Sequence, residues 1–190
     1  MKKTNIKIMY RSVKYLLILA MSLSINISYS SDFKEALNVI EVRKTAMQSL
    51  WHRIKRISPY VELKEKVDYN KDLATEDAKE IIVLLEKAKN LWSENSNLSA
   101  KGFTNATPAV WALPEYFGKL YSEAEKSAYQ LKDSIIEDNI ENTTEAMCNL
   151  GKACGTCHAN FRRLLTNQLS NEVSGWSGKY IKNCNSVTVN

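Results

Sequence analysis

Five consecutive residues towards the C-terminal end of the chain have types and spacing that could do chemistry. They read Cys154, Gly155, Thr156, Cys157 and His158, the C-x-x-C-H pattern that signals covalent attachment of a c-type haem. On a helix, two cysteines three residues apart lie on one face, where their thiols can add to the two vinyl groups at one edge of the porphyrin. The pattern therefore predicts thioether bonds at Cys154 and Cys157, with the His158 imidazole as proximal iron ligand.

Three other structures use the same residue types. A thioredoxin-like redox pair needs its C-x-x-C at a strand-to-helix junction, whereas this pair falls on the apolar stripe of a long helical pattern. A structural zinc site would have to recruit Cys148 and Cys184. A disulfide between Cys154 and Cys157 would be strained inside a helix. We therefore favour haem attachment and expect one covalent haem c per chain.

Two residues of an earlier helical pattern would be explained by a haem. Arg43 is a full charge on an otherwise apolar face, and burying a charge without a partner is costly. A haem propionate would be such a partner; the alternative is that Arg43 reaches the rim and packs only its stem. Met47, one turn on, could reach the side of the iron opposite His158, or it is a packed core methionine.

The remaining candidates are a second arginine and a second histidine. Arg162, four residues after His158, is positioned to lie beside the proximal imidazole and tune it, with solvation at the surface as the alternative. His52 falls off the apolar stripe of its helix, so we expect it at the surface or in packing rather than on iron.

The elements that must position these residues are helices. Four stretches repeat apolar residues at three- and four-residue steps, whereas no stretch alternates like a strand. Thr75 opens a capping-type start for the second, and Pro114 sits where the first turn of the third tolerates proline. The fold class predicted is all-α, an antiparallel four-helix bundle carrying haem. The four helices are expected over about residues 33–57, 75–92, 114–135 and 141–170.

The charge of the chain is concentrated at its start. The 190 residues carry a formal charge of +5, yet residues 1–30 hold five cations and no Asp or Glu, which leaves 21 cations against 21 anions in the rest. A balanced body gives no reason to expect a nucleic-acid partner.

The first 30 residues also have the order of a secretory signal peptide. A basic stretch precedes an apolar run from Tyr15 to Met21, and the small residues Ser28 and Ser30 follow. An uncleaved anchor helix is the alternative, but the run is short of the roughly 20 residues that a membrane span needs. We expect residues 1–30 to be removed and the mature chain, without a membrane span, to be exported to the periplasm.

Three separated blocks resemble the cytochrome c′ family of four-helix-bundle c-type cytochromes. They are Arg43 to Met47 (RKTAM), Thr107 to Trp111 (TPAVW) with Phe117 after it, and Gly151 to Arg162 (GKACGTCHANFR). Their order and spacing match over roughly residues 33–165, which supports a cytochrome domain over residues 31–170 and an irregular tail over residues 171–190.

The resemblance assigns roles residue by residue. It implies Cys154 and Cys157 as thioether sites, His158 as axial ligand, Arg43 near a propionate, Arg162 by the proximal ligand and Met47 at the distal position. It also implies that Trp111 and Phe117 pack around the haem pocket and its loop. Cys148 and Cys184 are extra to the family pattern, and in an oxidising compartment they could form a disulfide that ties the tail to the fourth helix.

The family resemblance leaves two functions open. Low-spin members close the sixth iron position with a methionine and carry electrons, whereas high-spin members leave it empty and bind nitric oxide or carbon monoxide. The GKACGTCHANFR block is closer to the methionine-ligated branch, so we expect an electron carrier that meets redox partner proteins. No acid–base pair or nucleophile stands out, so we do not expect an enzyme. Family members often dimerise through their first two helices, which makes a homodimer possible here.

Overall fold

The computed structural model describes residues 31–57 and 70–163. Within these ranges the chain forms four long α-helices and one short helix, and no strand beyond a single isolated bridge. The all-α prediction is thereby confirmed. The helices are α1 (residues 31–57), α2 (Lys71–Lys89), α3 (Ala109–Ala112), α4 (Pro114–Ile136) and α5 (Ile140–Phe161).

Several predictions lie outside the described residues. These are the signal peptide over residues 1–30, the tail over residues 171–190, and Cys184. The chain divides into two compact units, Met1–Asn38 and Val39–Asn190. Of the first unit, the structure describes the helical residues 31–38. All site residues predicted from the sequence belong to the second unit. None of the described helices is long and apolar enough to cross a membrane.

The predicted start of the second helix, near Thr75, is wrong. α2 begins at Lys71 and its N-cap is Asn70, whose Oδ1 accepts hydrogen bonds from the amides of Asp72 (3.0 Å) and Leu73 (3.1 Å). Asparagine is among the best N-cap residues because its side-chain oxygen satisfies amides that the first turn leaves free. Thr75 lies inside the helix, where its hydroxyl donates to the carbonyl of Lys71.

The connecting segment, residues 90–113, is not a structureless loop. It contains two 3₁₀ turns, Glu94–Ser96 and Ser99–Lys101, and the short helix α3. Gly102 follows the second turn with φ 77°, a conformation that glycine adopts without strain. The second helix is predicted to reach Trp92, but α2 ends at Lys89. Trp92 therefore belongs to the connecting segment. Pro114 is the first residue of α4, as predicted.

The fourth helix is predicted to continue to Ser170, but within the described residues it ends earlier. α5 ends at Phe161, and Arg162 is extended (φ −116°, ψ 136°) and forms an antiparallel bridge with Ala106. The amide of Thr107 donates to the carbonyl of Phe161 at 2.8 Å, and the amide of Arg163 donates to a carbonyl of the connecting segment at 2.7 Å. These hydrogen bonds replace the helical pattern after Phe161. They attach the connecting segment to the C-terminal end of the helix that carries the C-x-x-C-H motif.

Apolar stripes on the long helices form the core. The stripe predicted on α1 is buried at Ile40, Leu50 and Ile57. Between α1 and α2, the buried carboxylate of Asp77 accepts hydrogen bonds from Arg53 (2.8 Å) and from Arg56 Nε (2.8 Å). These interactions hold the helices around the cavity described next.

Candidate functional site

One cavity opens between the helices and the connecting segment. It encloses about 1130 Å³ of empty space, a figure that includes the open mouth. Most of the wall is apolar and comes from α1, α2, α4 and α5. It brings together seven of the eight residues predicted from the sequence: Arg43, Met47, Phe117, Cys154, Cys157, His158 and Arg162.

Cys154 and Cys157 lie on α5 as free thiols. Burial raises the pKa of the Cys154 thiol to about 12 and that of Cys157 to about 11. A thioredoxin-like pair needs a lowered thiol pKa, so that alternative does not fit. Cys148 is disulfide-bonded, so it is not available for the alternative of a structural zinc site. Because Cys184 lies outside the described residues, its pairing with Cys148 stays a prediction.

His158 lies one residue after Cys157 on the same helix and lines the cavity. Its Nδ1 atom is fully buried and has no hydrogen-bond partner among the described residues. Burial, followed by the positive charge of Arg162, lowers the pKa of His158 to about 4, so the imidazole is neutral at pH 7. A neutral imidazole beside two free thiols in an apolar cavity is the donor set that covalent haem requires.

Arg43 is buried, with 3% of its surface exposed, and its partners belong to the protein. Nη1 donates to the carbonyl of Leu91 (2.8 Å) and to Ser96 Oγ (3.3 Å), and Nη2 donates to Thr104 Oγ1 (3.2 Å). The guanidinium also stacks on the ring of Trp92, 4.1 Å from its centroid. Burial lowers the pKa of Arg43 to about 10. The alternative that Arg43 extends to the rim is therefore wrong.

Aromatic rings close the end of the cavity near Arg43. Trp92 packs edge-to-face on Phe117, with centroids 4.8 Å apart, and Phe117 packs in the same way on Phe161 at 5.2 Å. Trp111 lies behind Trp92, at 6.2 Å, and its Nε1 donates to the carbonyls of Trp92 (3.1 Å) and Ser93 (3.2 Å). Phe117 thus lines the cavity as predicted. Trp111, the eighth predicted residue, packs on the connecting segment, which agrees with the loop part of its prediction, but it is not on the cavity wall.

Trp92 is the site residue that sequence reasoning missed. The sequence pattern puts it at the end of the second predicted helix, residues 75–92. No sequence signal connects it with Arg43, because the contact forms only when the connecting segment folds back over α1. Met47 lines the cavity and is half-buried, Arg162 lies near His158, and His52 is exposed as predicted. The roles of Met47 and Arg162 towards a cofactor stay predictions.

Comparison with known proteins agrees with this geometry. The family model described as cytochrome C′ matches residues 38–162. Cytochrome c-554 of Cereibacter sphaeroides is 26% identical over 148 residues, which is 77% of this chain and 95% of that relative. A second cytochrome c-554 from Cereibacter sphaeroides is 24% identical over 133 residues, or 70% of this chain and 98% of its own length.

Solved structures of cytochromes c′ share the fold. That of Rubrivivax gelatinosus is 20% identical with a TM-score of 0.60 and covers 67% of this chain and 97% of its own. The nitric oxide complex of a point mutant of cytochrome c prime from Alcaligenes xylosoxidans is 15% identical with a TM-score of 0.62, covering 68% and 97%. The family model spans well over half of the sequence and includes every residue of the cavity wall. The chain belongs to the cytochrome c′ family, whose members carry covalently attached haem c.

Proposed function

We propose that this protein is a periplasmic electron carrier, in which Met47 and His158 would bind the haem iron. The observation that supports this most directly is that Met47 on α1 and His158 on α5 line one apolar cavity, together with the two thiols of the C-x-x-C-H motif. A thioether and a neutral imidazole are the ligand pair of many electron-carrying c-type cytochromes. Cys154 and Cys157 would hold the porphyrin by thioether bonds.

The bound haem supplies the redox couple, with iron alternating between the ferrous and ferric states. The chain supplies a rigid, dry surrounding. The cavity is lined from three different helices by Leu50, Leu120 and Leu150. Because apolar side chains exclude water, the electrostatic interactions of charges near the iron are stronger there. Ligands held on two packed helices move little between the two oxidation states.

Arg43 is proposed to bind a haem propionate. It lines the cavity as a buried cation, and no carboxylate of the described residues pairs with it. A buried guanidinium is most stable with an anion in hydrogen-bond reach. Arg162 is proposed to tune the proximal side, since its charge already acts on His158.

The same proposal covers what lies outside the site. We propose that the protein passes electrons to partner proteins and catalyses no reaction of its own, and that the N-terminal 30 residues direct export. The homodimer through the first two helices belongs to this proposal as well. Sedimentation of the purified mature chain would measure its oligomeric state.

The test is a pair of methionine variants with the same substitution. In Met47→Leu the thioether is lost from the cavity wall, whereas in Met147→Leu it is lost from a fully buried core position that does not line the cavity. We expect the ferric charge-transfer band of methionine-ligated haem in the wild type and in Met147→Leu, and its loss in Met47→Leu. A high-spin ferric spectrum in the wild type would exclude Met47 as a ligand.

The second candidate is a five-coordinate haem protein that binds nitric oxide or carbon monoxide. Beside Met47, the α1 wall of the cavity offers Leu50 and Ile54, and apolar side chains of this kind could leave the sixth position empty. A solved structure with this fold is described as a nitric oxide complex. Rapid carbon monoxide binding by the ferrous wild type, equal to that of Met47→Leu, would favour this function over the carrier.

A further inference from the structure

The guanidinium of Arg43 has one edge fully engaged by the protein. Both hydrogens of Nη1 have acceptors, the carbonyl of Leu91 and Ser96 Oγ, and one hydrogen of Nη2 is taken by Thr104 Oγ1. A guanidinium has five N–H donors in a fixed planar fork. Nε–H has no acceptor among the described residues, and Nη2 has a single acceptor for its two hydrogens, so the edge that joins Nε and Nη2 still has donors available.

The face of the same guanidinium is also fixed. Its central carbon lies 4.1 Å from the centroid of the Trp92 ring, close enough for a cation–π interaction. Trp92 in turn cannot shift easily, because it packs on Phe117 and because Trp111 donates to its carbonyl. The plane and the rotation of the guanidinium are thus both set by residues of the connecting segment.

We propose that Trp92 and Thr104 are positioning residues, which hold Arg43 so that its Nε–Nη2 edge is presented to a carboxylate of the haem. This edge forms a bidentate pair with a carboxylate, the geometry in which an arginine discriminates a planar anion from a point charge. The connecting segment then acts on the cofactor through Arg43. The proposal rests on the Arg43–propionate pairing proposed above and is independent of whether Met47 binds the iron.

The experiment measures the pKa of the haem propionates in the holoprotein, through the pH dependence of their bending bands in resonance Raman spectra. Hydrogen bonds to the ionised form lower the pKa of a carboxyl. We expect Thr104→Val and Trp92→Leu each to raise a propionate pKa by about 0.5–1 unit because the pair is loosened. Thr104→Ser keeps the hydroxyl and Trp92→Phe keeps an aromatic face, so both should stay close to the wild type.

The outcomes separate the two proposals. If Arg43→Lys leaves the propionate pKa unchanged, the pairing of Arg43 with a propionate fails. If Arg43→Lys raises it while Thr104→Val and Trp92→Leu do not, the positioning role alone is overturned. An equal rise in Thr104→Val and Thr104→Ser would overturn the role of the Thr104 hydroxyl. The other ionisable groups on the described cavity wall, Tyr121, His158, Arg162 and the two cysteines, are the same in every variant.

A measurement on the unaltered holoprotein covers the case in which a variant does not fold. In the ferrous state, or in its carbon monoxide complex if the iron is five-coordinate, the haem is diamagnetic and proton NMR is sharp. We expect a nuclear Overhauser effect between Arg43 Nε–H and the propionate methylenes, and exchange of this proton about ten- to a hundred-fold slower than in free arginine. An Nε–H that exchanges at the free rate would overturn the proposal.

Discussion

The hydroxyl of Tyr121 on α4 donates a hydrogen bond of 2.8 Å to the carbonyl oxygen of Leu85 on α2. Both residues line the cavity, and the tyrosine is buried, with 5% of its surface exposed. This bond joins the two helices through a main-chain oxygen. Burial, followed by the charge of Glu125, raises the pKa of the Tyr121 phenol above its ordinary value of 10.0.

Replacing Tyr121 by Phe should make the stability of the holoprotein less sensitive to alkaline pH. In the fold the phenol stays neutral, whereas in the unfolded chain it ionises near pH 10. The raised pKa therefore contributes stability that is complete below pH 10 and is lost as pH rises above it. At pH 7 the variant should lose about 1 kcal/mol for the missing hydrogen bond, and this difference should shrink above pH 10. Urea unfolding followed by circular dichroism measures both.

Tyr116→Phe is the matched control, because this ring is 42% exposed and loses the same hydroxyl. Its stability should follow the wild type at every pH. Parallel curves for Tyr121→Phe and the wild type above pH 10 would contradict the linkage.

Periodicity in the sequence predicts the helices well. Apolar residues at three- and four-residue steps can all be removed from water on one face only if the segment is helical. α4 begins at Pro114 as expected, and the stripe on α1 is buried at Ile40, Leu50 and Ile57. The start of α2 was misplaced because the cap is made by Asn70, whose side chain binds amides two and three residues later. Asn70 and Thr75 are both N-cap residue types, and the sequence alone does not show which of them binds the free amides.

Long-range contacts could not be predicted from the sequence, because they depend on residues that are far apart in the chain. Arg43 is a charge on an apolar face, so the sequence predicts a haem propionate as its partner. In the fold its protein partners are Ser96, Thr104 and the Trp92 ring. α5 ends at Phe161 because the connecting segment pairs with Arg162. Neither contact leaves a local pattern, since each depends on where a distant stretch of chain returns.

Asp77→Asn should destabilise the protein without altering the haem spectrum. The carboxylate is buried and joins Arg53 and Arg56 of α1 to α2, and Asp77 is absent from the cavity wall. The arginine side chains are 36% and 58% exposed, so water can solvate them once the charge is lost. We therefore expect a loss of about 2 kcal/mol in unfolding free energy, less than for a fully buried ion pair.

Glu76→Gln serves as the control for this change, since Glu76 is the exposed neighbour of Asp77. It should alter stability by less than about 0.5 kcal/mol. A changed absorption spectrum in Asp77→Asn would show that the α1–α2 contact reaches the iron, contrary to the prediction.

Asn139→Ala should weaken the start of the helix that carries the haem motif. Asn139 is the N-cap of α5, and its Oδ1 accepts a hydrogen bond of 3.0 Å from the amide of Asn142. Removing such a cap costs about 1 kcal/mol. Asn149→Ala, at an exposed position within the same helix, should be neutral or slightly stabilising because alanine is the better helix former. Thermal unfolding of the two holoproteins side by side tests this, and equal midpoints would contradict the capping role.

Replacing both Cys154 and Cys157 by Ser should turn covalent haem into extractable haem. Each thiol is expected to form one thioether, so a single replacement leaves one bond and the double replacement leaves none. We expect acidified organic solvent to remove all haem from the double variant and none from either single variant, with intact mass spectrometry reporting the haem that stays on the chain. Cys148→Ser is the control on the same helix, because the sulfur of Cys148 is disulfide-bonded. This variant should keep its haem attached during solvent extraction, even if the fold is less stable. Haem retained by the double variant would exclude these two cysteines as the attachment sites, and haem lost from Cys148→Ser would contradict an attachment that depends on Cys154 and Cys157 alone.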